Sequence, residues 1–279
     1  MSISPSASIH KTAVVEDGAT IGDHVSIGPF CHVGPTVSIG ANSRLMSHVV
    51  MEGVTTLGEG ATVFHHAIIG AAPQNGKHKG GPTRLVVGKN CLIREGVTMH
   101  TGSDSSTGIT TVGDDCSFLA YAHVAHDCTL GNNVTFANNV MIGGHVVIGD
   151  GVIIGGGAGV HQFCRVGHHA FVGGIAALVN DLIPYGSAIG VHAHLAGLNI
   201  VGMKRGGMPR AQIHEMRHAV KMLFDRKAPV RENAVRVAEA FPESASVIDL
   251  LSFMDFSSKR SYCSPLDKDH GGESGNGEE

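Results

Sequence analysis

The sequence predicts a mainly β protein, a parallel β-helix of hexapeptide repeats followed by a C-terminal α-helical domain. Three observations support this prediction. An aliphatic residue recurs every six positions over most of the chain, Gly supplies 39 of the 279 residues, and the apolar spacing becomes helical after residue 191. Gly at about twice its usual ~7% indicates many tight turns. The absence of Trp indicates a thin core.

The six-residue period covers the first two thirds of the chain in two blocks. Every sixth residue from Ile9 to Ile69 is apolar, eleven in all, and the same phase resumes at Val87. After a shift of one, every sixth residue from Val112 to Leu178 is again apolar. A fixed short period of this kind indicates a solenoid, in which three hexapeptides form one triangular coil of 18 residues.

Two other repeat positions are restricted in the same way. Gly often follows the aliphatic residue, and a small or β-branched residue often occupies the fifth position, as expected for short strands joined by tight corners. Five of the six cysteines fall on this small inward position, namely Cys31, Cys91, Cys116, Cys128 and Cys164, and Cys263 lies outside the repeat. We expect them to be reduced packing residues, which suits a cytoplasmic protein.

Two insertions interrupt the repeat, at residues 71–86 and 100–111. Loops on a rigid scaffold commonly carry function. The β-helix with these insertions is predicted to span residues 1–191. Spacings of three and four between apolar residues predict amphipathic helices over 192–256, and a polar, Gly-rich tail over 257–279 is predicted to be disordered.

Composition argues against several other classes of protein. The net charge of −4 offers no support for nucleic-acid binding. The N-terminus lacks a signal-peptide pattern, and no apolar run approaches the ~18 residues of a transmembrane helix. We therefore expect a cytoplasmic protein without a transmembrane segment.

A histidine group emerges when residues are compared across coils. His126, His145 and His161 are predicted to lie on one face of the prism in three successive coils, close to a corner, with His123 at the adjoining corner. A His titrates near neutral pH and is the usual general base, and a carboxylate such as that of Asp127 can orient it. Adjacent strand residues point in opposite directions, so His126 and Asp127 meet only if the chain bends there.

Two other interpretations of these histidines stay open from the residues alone. Three His ligands with an open position would hold Zn²⁺ for a hydratase, as in the γ-class carbonic anhydrases built on the same helix. A β-helix that acts only as a scaffold would leave the histidines without a chemical role.

Several motifs resemble those of the UDP-N-acetylglucosamine O-acyltransferase family, from about Ser4 to Phe256. They are IGPFCHVGP at 27–35, GKHKGGPTR at 76–84, IREGVTMHTG at 93–102, HVAHDCTLGN at 123–132, FANNVMIGGHV at 136–146, VHQFCRVG at 160–167 and GLNIVGMKR at 197–205. The resemblance implies a left-handed β-helix and a homotrimer with active sites in clefts between neighbouring helices.

The resemblance also implies a reaction. The family transfers an (R)-3-hydroxyacyl chain from acyl carrier protein to the 3-position of a UDP-sugar, the first step of lipid A synthesis. The acceptor attacks the thioester directly, and no cofactor is needed beyond the phosphopantetheine that the carrier protein bears. By resemblance His126 is the general base, Asp127 orients it, and the backbone N–H of Gly144 stabilises the oxyanion.

Substrate contacts follow by the same resemblance. The residues expected to bind substrate are Asn75, Lys77, His100, His123, His145, His161, Gln162, Asn199 and Arg205. Gly174 and His192 are expected to set the acyl length, and Gly at 174 implies a long chain near fourteen carbons. Basic residues of the helical domain, Arg210, Arg217 and Lys221, would meet the acidic carrier protein.

Three positions depart from the family pattern. Asn75 and Val201 stand where the family has acidic residues, and Gly206 replaces a basic one. These positions concern the sugar nucleotide, so its 3-amino analogue, which would give N-acylation, is an alternative acceptor.

Overall fold

A computed structural model describes residues 2–254 and 260–266 of the chain. Short strands follow one another at almost regular intervals through the first two thirds of it. In chain order they are β1 Ser2–Ile3, β2 Ser8–Ile9, β3 Val14–Val15, β4 Thr20–Ile21, β5 Ser26–Ile27, β6 His32–Val33, β7 Ser38–Ile39, β8 Arg44–Leu45, β9 Val50–Met51, β10 Val54–Leu57, β11 Thr62–Val63, β12 Ile68–Ala71, β13 Arg84–Val87, β14 Leu92–Ile93, β15 Thr98–His100, β16 Ile109–Val112, β17 Ser117–Phe118, β18 His123–Val124, β19 Thr129–Leu130, β20 Thr135–Phe136, β21 Met141–Ile142, β22 Val147–Ile148, β23 Ile153–Ile154, β24 Gly159–Val160, β25 Arg165–Val166, β26 Phe171–Val172 and β27 Ala177–Leu178.

These strands form three parallel sheets, because each strand pairs with the strand three places further along. We call the sheet that begins with β1 face 1, the one that begins with β2 face 2, and the one that begins with β3 face 3. Where the chain is uninterrupted, paired residues are 18 apart, as in Thr129 with Val147 and His123 with Met141. The predicted left-handed β-helix of 18-residue coils is therefore confirmed.

The second residue of nearly every strand points into the prism. From Ile21 to Leu178 these aliphatic residues are almost completely buried, and the Phe118 and Phe136 rings pack edge to face at 5.1 Å. The six cysteines are buried with free thiols. Their predicted role as small packing residues is confirmed.

The corners between faces are made by residues in the left-handed conformation. Gly takes some of these positions, but Asn, Asp and His, which tolerate positive φ better than most residues, take many others. Asp127 at φ 60° and His145 at φ 62° are two of them. Both lie at the corner between face 3 and face 1, where the candidate site forms.

Both insertions are shorter than predicted. Residues 72–83 leave the helix in the first, because Arg84–Val87 already pair with Val54–Leu57 on face 1. Residues 101–108 leave it in the second, because strand pairing continues to His100 and resumes at Ile109. The residues that flank each loop belong to strands of face 1 or face 3. Their polar character made them look like loop residues in the sequence, so the predicted insertions were too long. We call these segments the 72–83 loop and the 101–108 loop.

The C-terminal end of the β-helix is closed by a hairpin and four helices. Strands β28 (Gly186–Ile189) and β29 (His194–Leu198) pair antiparallel and extend face 2 beyond the predicted boundary at residue 191. Helices α1 (Ile200–Arg205), α2 (Arg210–Leu223), α3 (Val230–Ala240) and α4 (Ala245–Phe253) follow. They bury residues such as Met216, Val237 and Leu250. No helix in the described part of the chain combines the length and apolarity that crossing a bilayer requires.

Residues 260–266, the C-terminal strap, return to the last coil. The N–H of Cys263 donates to Asp181 O at 2.8 Å, and the N–H of Leu195 donates to Ser264 O at 3.0 Å. Disorder was predicted from residue 257 onward and is wrong for this segment, because Cys263 is buried at 1% exposure and holds it in place. The rest of that predicted tail lies outside the described residues.

Candidate active site

The His126–Asp127 pair lies at the corner that follows β18. His126 Nδ1 is 2.7 Å from Asp127 Oδ2, and the two side chains are 11% and 0% exposed. Contact between these consecutive residues requires a bend in the chain. The left-handed conformation of Asp127 supplies the bend, because it turns the carboxylate back towards the ring.

The Asp127 carboxylate is surrounded by donors from the 101–108 loop. It accepts hydrogen bonds from the backbone N–H of Ser103 at 3.1 and 3.2 Å, from Thr107 Oγ1 at 2.6 Å and from the N–H of Gly108 at 3.1 Å. Burial opposes ionisation, but the hydrogen bonds from Thr107, His126 and Ser103 outweigh it and hold the pKa of Asp127 below its usual value. A charged Asp127 accepts from Nδ1–H of His126, which leaves Nε2 as the basic ring nitrogen.

Sequence reasoning did not identify these donors. The only signal was position: the loop leaves the helix after β15, and β15 stacks directly on β18. It therefore emerges one coil before the corner that holds His126 and Asp127. The loop sequence does not follow the six-residue repeat, so the repeat does not predict which groups of the 101–108 loop face the Asp127 carboxylate.

His126, His145 and His161 lie in three neighbouring columns. Residues 18 apart stack, so His126 shares its column with Gly144 and Gln162. The His145 ring stands edge-on to His126 at 5.0 Å and stacks on Phe163 at 4.3 Å. Burial lowers the pKa of His145, although the Asp127 charge acts in the opposite direction.

Gly144 lies directly against the His126 ring. A Cβ at this position would come within 2.7 Å of His126 Cε1 and 2.8 Å of Nε2. Any larger residue would displace the imidazole. Gly144 therefore permits the ring position and places a backbone amide near the basic nitrogen.

His123 and His100 form a second pair of rings beside the first. His123 lies in β18 on the outer surface of face 3, so its predicted place at the adjoining corner is wrong; the strand begins one residue earlier than the aliphatic position. Its Nδ1 is 2.7 Å from Thr98 Oγ1, and its ring is 4.8 Å from that of His100. Burial, reinforced by the His123 and His126 charges, lowers the pKa of His100 to about 4. Burial also lowers the pKa of His123.

A groove runs along face 3 from the His126–Asp127 pair towards the C-terminal end. Its volume is about 740 Å³. It is lined by Gln74, His123, Ala125, His126, Met141, Ile142, Gly143, Gly144, Gly159, Val160, His161, Gln162, Ala177, Leu178 and Val179. Outward positions past Met141 are the small residues Gly159 and Ala177, which leave room for an extended apolar ligand. We call this cavity the face 3 groove.

Other predicted substrate residues lie outside this lining. Lys77 is exposed on the 72–83 loop, and the Asn75 amide donates to Ser103 Oγ at 3.2 Å. Asn199 caps α1 through Gly202 N–H and donates to His169 O, so its side chain is engaged within the chain. Arg205 is exposed at the end of α1.

The two residues expected to set acyl length, Gly174 and His192, lie in the last coils of the β-helix and are not among the residues that line the face 3 groove. Gly174 is exposed at the corner between faces 2 and 3, one coil beyond Gly156. His192 pairs with Ala177 and so continues the outer column of face 3.

The described residues offer one group that could hold a metal ion, consisting of His126, Asp127 and His145. Their nearest ligand atoms lie within 4.8 Å of one another. His161 is not part of this group, so the three-histidine set considered for zinc is not assembled. The His126–Asp127 hydrogen bond also occupies two of the donor atoms.

Comparison with known proteins gives matches over up to 95% of the chain. Residues 181–263 match the family model for domain 2 of Udp N-acetylglucosamine O-acyltransferase, and residues 18–53 and 109–144 match that for the bacterial transferase hexapeptide. Acyl-[acyl-carrier-protein]–UDP-N-acetylglucosamine O-acyltransferases from Brucella ovis and Brucella abortus are 63% identical over 265 residues, 95% of each chain.

Solved structures agree with the sequence matches. LpxA from Acinetobacter baumannii is 38% identical with a TM-score of 0.85, covering 88% of this chain and 97% of its own. The UDP-N-acetylglucosamine acyltransferase from Campylobacter jejuni is 35% identical with a TM-score of 0.85, covering 93% of this chain and 100% of its own.

Proposed function

The chain belongs to the acyl-[acyl-carrier-protein]–UDP-N-acetylglucosamine O-acyltransferase family, and from that premise we propose the reaction it performs. It is an acyltransferase. It transfers an (R)-3-hydroxyacyl chain from acyl carrier protein to the 3-hydroxyl of UDP-N-acetylglucosamine, the first step of lipid A synthesis. The observation that carries the proposal is the buried His126–Asp127 pair at the head of an apolar groove.

His126 acts as the general base. Its Nε2 takes the proton from the acceptor hydroxyl as the oxygen attacks the thioester carbonyl. Asp127 keeps the ring in the required tautomer and stabilises the imidazolium. The tetrahedral oxyanion is held by the N–H of Gly144, a fixed amide beside the ring. Collapse breaks the C–S bond, and the leaving thiolate takes the proton from His126.

The acyl chain lies along the face 3 groove. Small outer residues at 159 and 177 support this placement, because they leave an open path on the strand surface. Gly174 and His192 are proposed to set the length of acyl chain that the site accepts. Gly174 adds no side chain to block the path, so the preferred acyl chain is long, near fourteen carbons.

A second subunit completes the site in a homotrimer. The exposed Arg205 lies outside the groove of its own chain, which supports a role in a neighbour's cleft, where a guanidinium suits phosphate. Lys77, His100, His145, His161, Gln162 and Asn199 are proposed to surround the sugar nucleotide with it. The exposed basic residues Arg210, Arg217 and Lys221 on α2 are proposed to receive acyl carrier protein. The donor's phosphopantetheine supplies the thioester, so no further cofactor is proposed.

The decisive experiment compares His126→Ala and Asp127→Asn with a control, His24→Ala, an exposed histidine at another corner. Purified variants receive hydroxyacyl carrier proteins of graded length and UDP-N-acetylglucosamine. Loss of a general base costs about 10²–10⁴-fold in rate, so His126→Ala falls by that factor while the control retains full activity. Full transfer by His126→Ala would refute the proposed base.

The same assay separates the remaining alternatives. The 3-amino acceptor is tested beside the 3-hydroxy sugar, since the neutral Asn75 stands where the family has an acid. Exclusive use of the amino sugar would change the acceptor but not the role of His126. Dependence on stoichiometric zinc, with CO₂ hydration and no acyl transfer, would instead favour the hydratase.

A further inference from the structure

Asp104 joins the two loops that leave the β-helix. Its carboxylate accepts hydrogen bonds from the backbone N–H of Gly81 at 2.7 Å and of Lys79 at 3.1 Å, and His78 Nδ1 is 3.0 Å from Oδ1. The Gly81 and Lys79 amides hold the pKa of Asp104 below its usual value, so it is charged at neutral pH. One carboxylate of the 101–108 loop therefore binds three successive parts of the 72–83 loop.

The residue before Asp104 connects the same loop to the catalytic pair. Ser103 donates its N–H to Asp127, and its Oγ accepts from the Asn75 amide. A continuous set of hydrogen bonds thus runs from His126 through Asp127 and the 101–108 loop to the 72–83 loop. The latter carries Gln74 into the groove and displays Lys77.

The fit between the two loops depends on Gly81. A Cβ there would lie 2.7 Å from Asp104 Oδ2 and 2.8 Å from its Cβ, too close for any side chain. By contrast, a Cβ on Gly76 in the same loop would meet nothing within 4 Å. At Gly81, therefore, it is the Asp104 side chain that leaves no room for a side chain, whereas Gly76 in the same loop has open space around it.

We propose that Asp104 is a positioning residue that fixes the 72–83 loop against the catalytic pair and thereby sets the affinity for the sugar nucleotide. Asp104 itself contacts neither the acceptor hydroxyl nor the thioester carbonyl in the proposed reaction. Loss of the carboxylate leaves the backbone N–H groups of Gly81 and Lys79 without their acceptor and removes its contact with His78, so the loop that carries Lys77 no longer has one position. The inference rests on the proposed role of this loop in nucleotide binding.

The test measures KM for UDP-N-acetylglucosamine and kcat in Asp104→Ala, Asp104→Asn and Gly81→Ala, with Gly76→Ala as matched control. We expect Asp104→Ala and Gly81→Ala to raise KM at least about tenfold, the equivalent of 1.4 kcal/mol, with kcat changed far less. Asp104→Asn keeps one oxygen for Gly81 N–H and should recover part of the affinity. Gly76→Ala should match the parent enzyme.

A double variant separates positioning from general destabilisation. If Asp104 acts through the loop, Lys77→Ala combined with Asp104→Ala raises KM little more than Lys77→Ala alone. Additive effects, a fall in kcat without a change in KM, or equal behaviour of Gly81→Ala and Gly76→Ala would each overturn the proposal. Should Asp104→Ala not fold, Gly81→Ala and Asp104→Asn give the same comparison. Failure of the proposed function is recognised separately, by the absence of acyl transfer to UDP-N-acetylglucosamine in the parent enzyme.

Discussion

His100 is a buried, uncharged neighbour of the histidine cluster that contains the proposed base, His126. Its ring is 4% exposed and 4.8 Å from His123, and Nδ1 has no hydrogen-bond partner among residues 2–254 and 260–266. With a pKa of about 4 it is neutral at working pH. A neutral His100 would not repel the imidazolium that the proposed role of His126 requires.

The buried His100 should make folding stability depend on pH. Its pKa is about 4 in the folded protein, against ~6.5 when unfolded. Between these values the unfolded state binds more protons, so stability rises with pH and is lost as pH falls from about 6.5 to 4. The full contribution is about 3.5 kcal/mol at most, at ~1.4 kcal/mol for each unit by which the pKa is lowered. Urea unfolding at pH 7 and pH 4.5 measures it.

His100→Phe removes this titration and should reduce the pH dependence between pH 4.5 and 7, while the lowered pKa values of His123 and His145 maintain part of it. His24→Phe, at an exposed corner, should leave the dependence unchanged. Equal slopes in the His100 variant and the parent would contradict the assignment. Protonation of Asp127 does not interfere, because its pKa lies below its usual value and its stabilisation is lost only at lower pH.

At this scale the sequence predicted which residues meet but not what holds them. The period predicted that His126 and His161 lie on one face, and both line the face 3 groove, because the stacking of residues follows from coil length. Gln162, which also lines the groove, was expected there only from the family resemblance. His145 lies one position outside the column of His126, in register with Asp127 rather than with Gly144, and its ring stands edge-on to that of His126. The donors around Asp127 could not be predicted, because they depend on the conformation of the aperiodic 101–108 loop.

Among the elements, the last coil depends on an ion pair where the repeat ends. Asp181 is 1% exposed and accepts from both the backbone N–H of Arg165 at 2.8 Å and its Nε at 2.7 Å. Its own backbone pairs with the C-terminal strap on either side of Tyr262. Arg165 also donates to Phe253 O in α4. Asp181 and Arg165 together therefore link the final coil to the strap, through the Asp181 backbone, and to the helices, through the Arg165 guanidinium.

Removal of this carboxylate should be costly. Breaking a buried pair by deleting one partner typically costs about 3–5 kcal/mol, so Asp181→Ala should lower the free energy of unfolding by about 3 kcal/mol, as Arg165 is partly exposed. Asp249→Ala is the control: it removes a pair with His168 in which Asp249 is 47% exposed, and should cost below about 1 kcal/mol. Equal losses in urea unfolding would show that Asp181 has no special role.

The elements themselves were largely predictable. Strand positions followed from the aliphatic period, and the helices followed from spacings of three and four. The ordered C-terminal strap could not be predicted. Its order comes from the buried Cys263 and from backbone pairing with Asp181, and these are contacts between segments about 80 residues apart. Composition describes the polarity of a segment but not the edge it pairs with.

The whole molecule is a one-dimensional stack, in which each coil contacts only its neighbours. The N-terminal coil has one neighbour, and its inward residues Ile3, Ile9 and Val15 are only partly buried. The other end is covered by the hairpin, helices and strap. We expect amide hydrogen exchange to be fastest in β1–β3 and slowest around Phe118 and Phe136. Near Leu178, at the covered end, exchange should be slower than in β1–β3.

A matched pair of substitutions tests this asymmetry directly. Ile9 and Ile154 hold the same inward position on face 2, but Ile154 is 0% exposed while Ile9 is only partly buried. A fully buried Ile→Ala change costs about 2–5 kcal/mol, so Ile154→Ala should weaken protection across the central coils on both sides. Ile9→Ala should cost less and increase exchange in the first coil alone. Because coils communicate only through contact, fraying that begins at the exposed end should stop at the first fully buried coil. An equal and global loss of protection in both variants would mean that the prism unfolds as one cooperative unit.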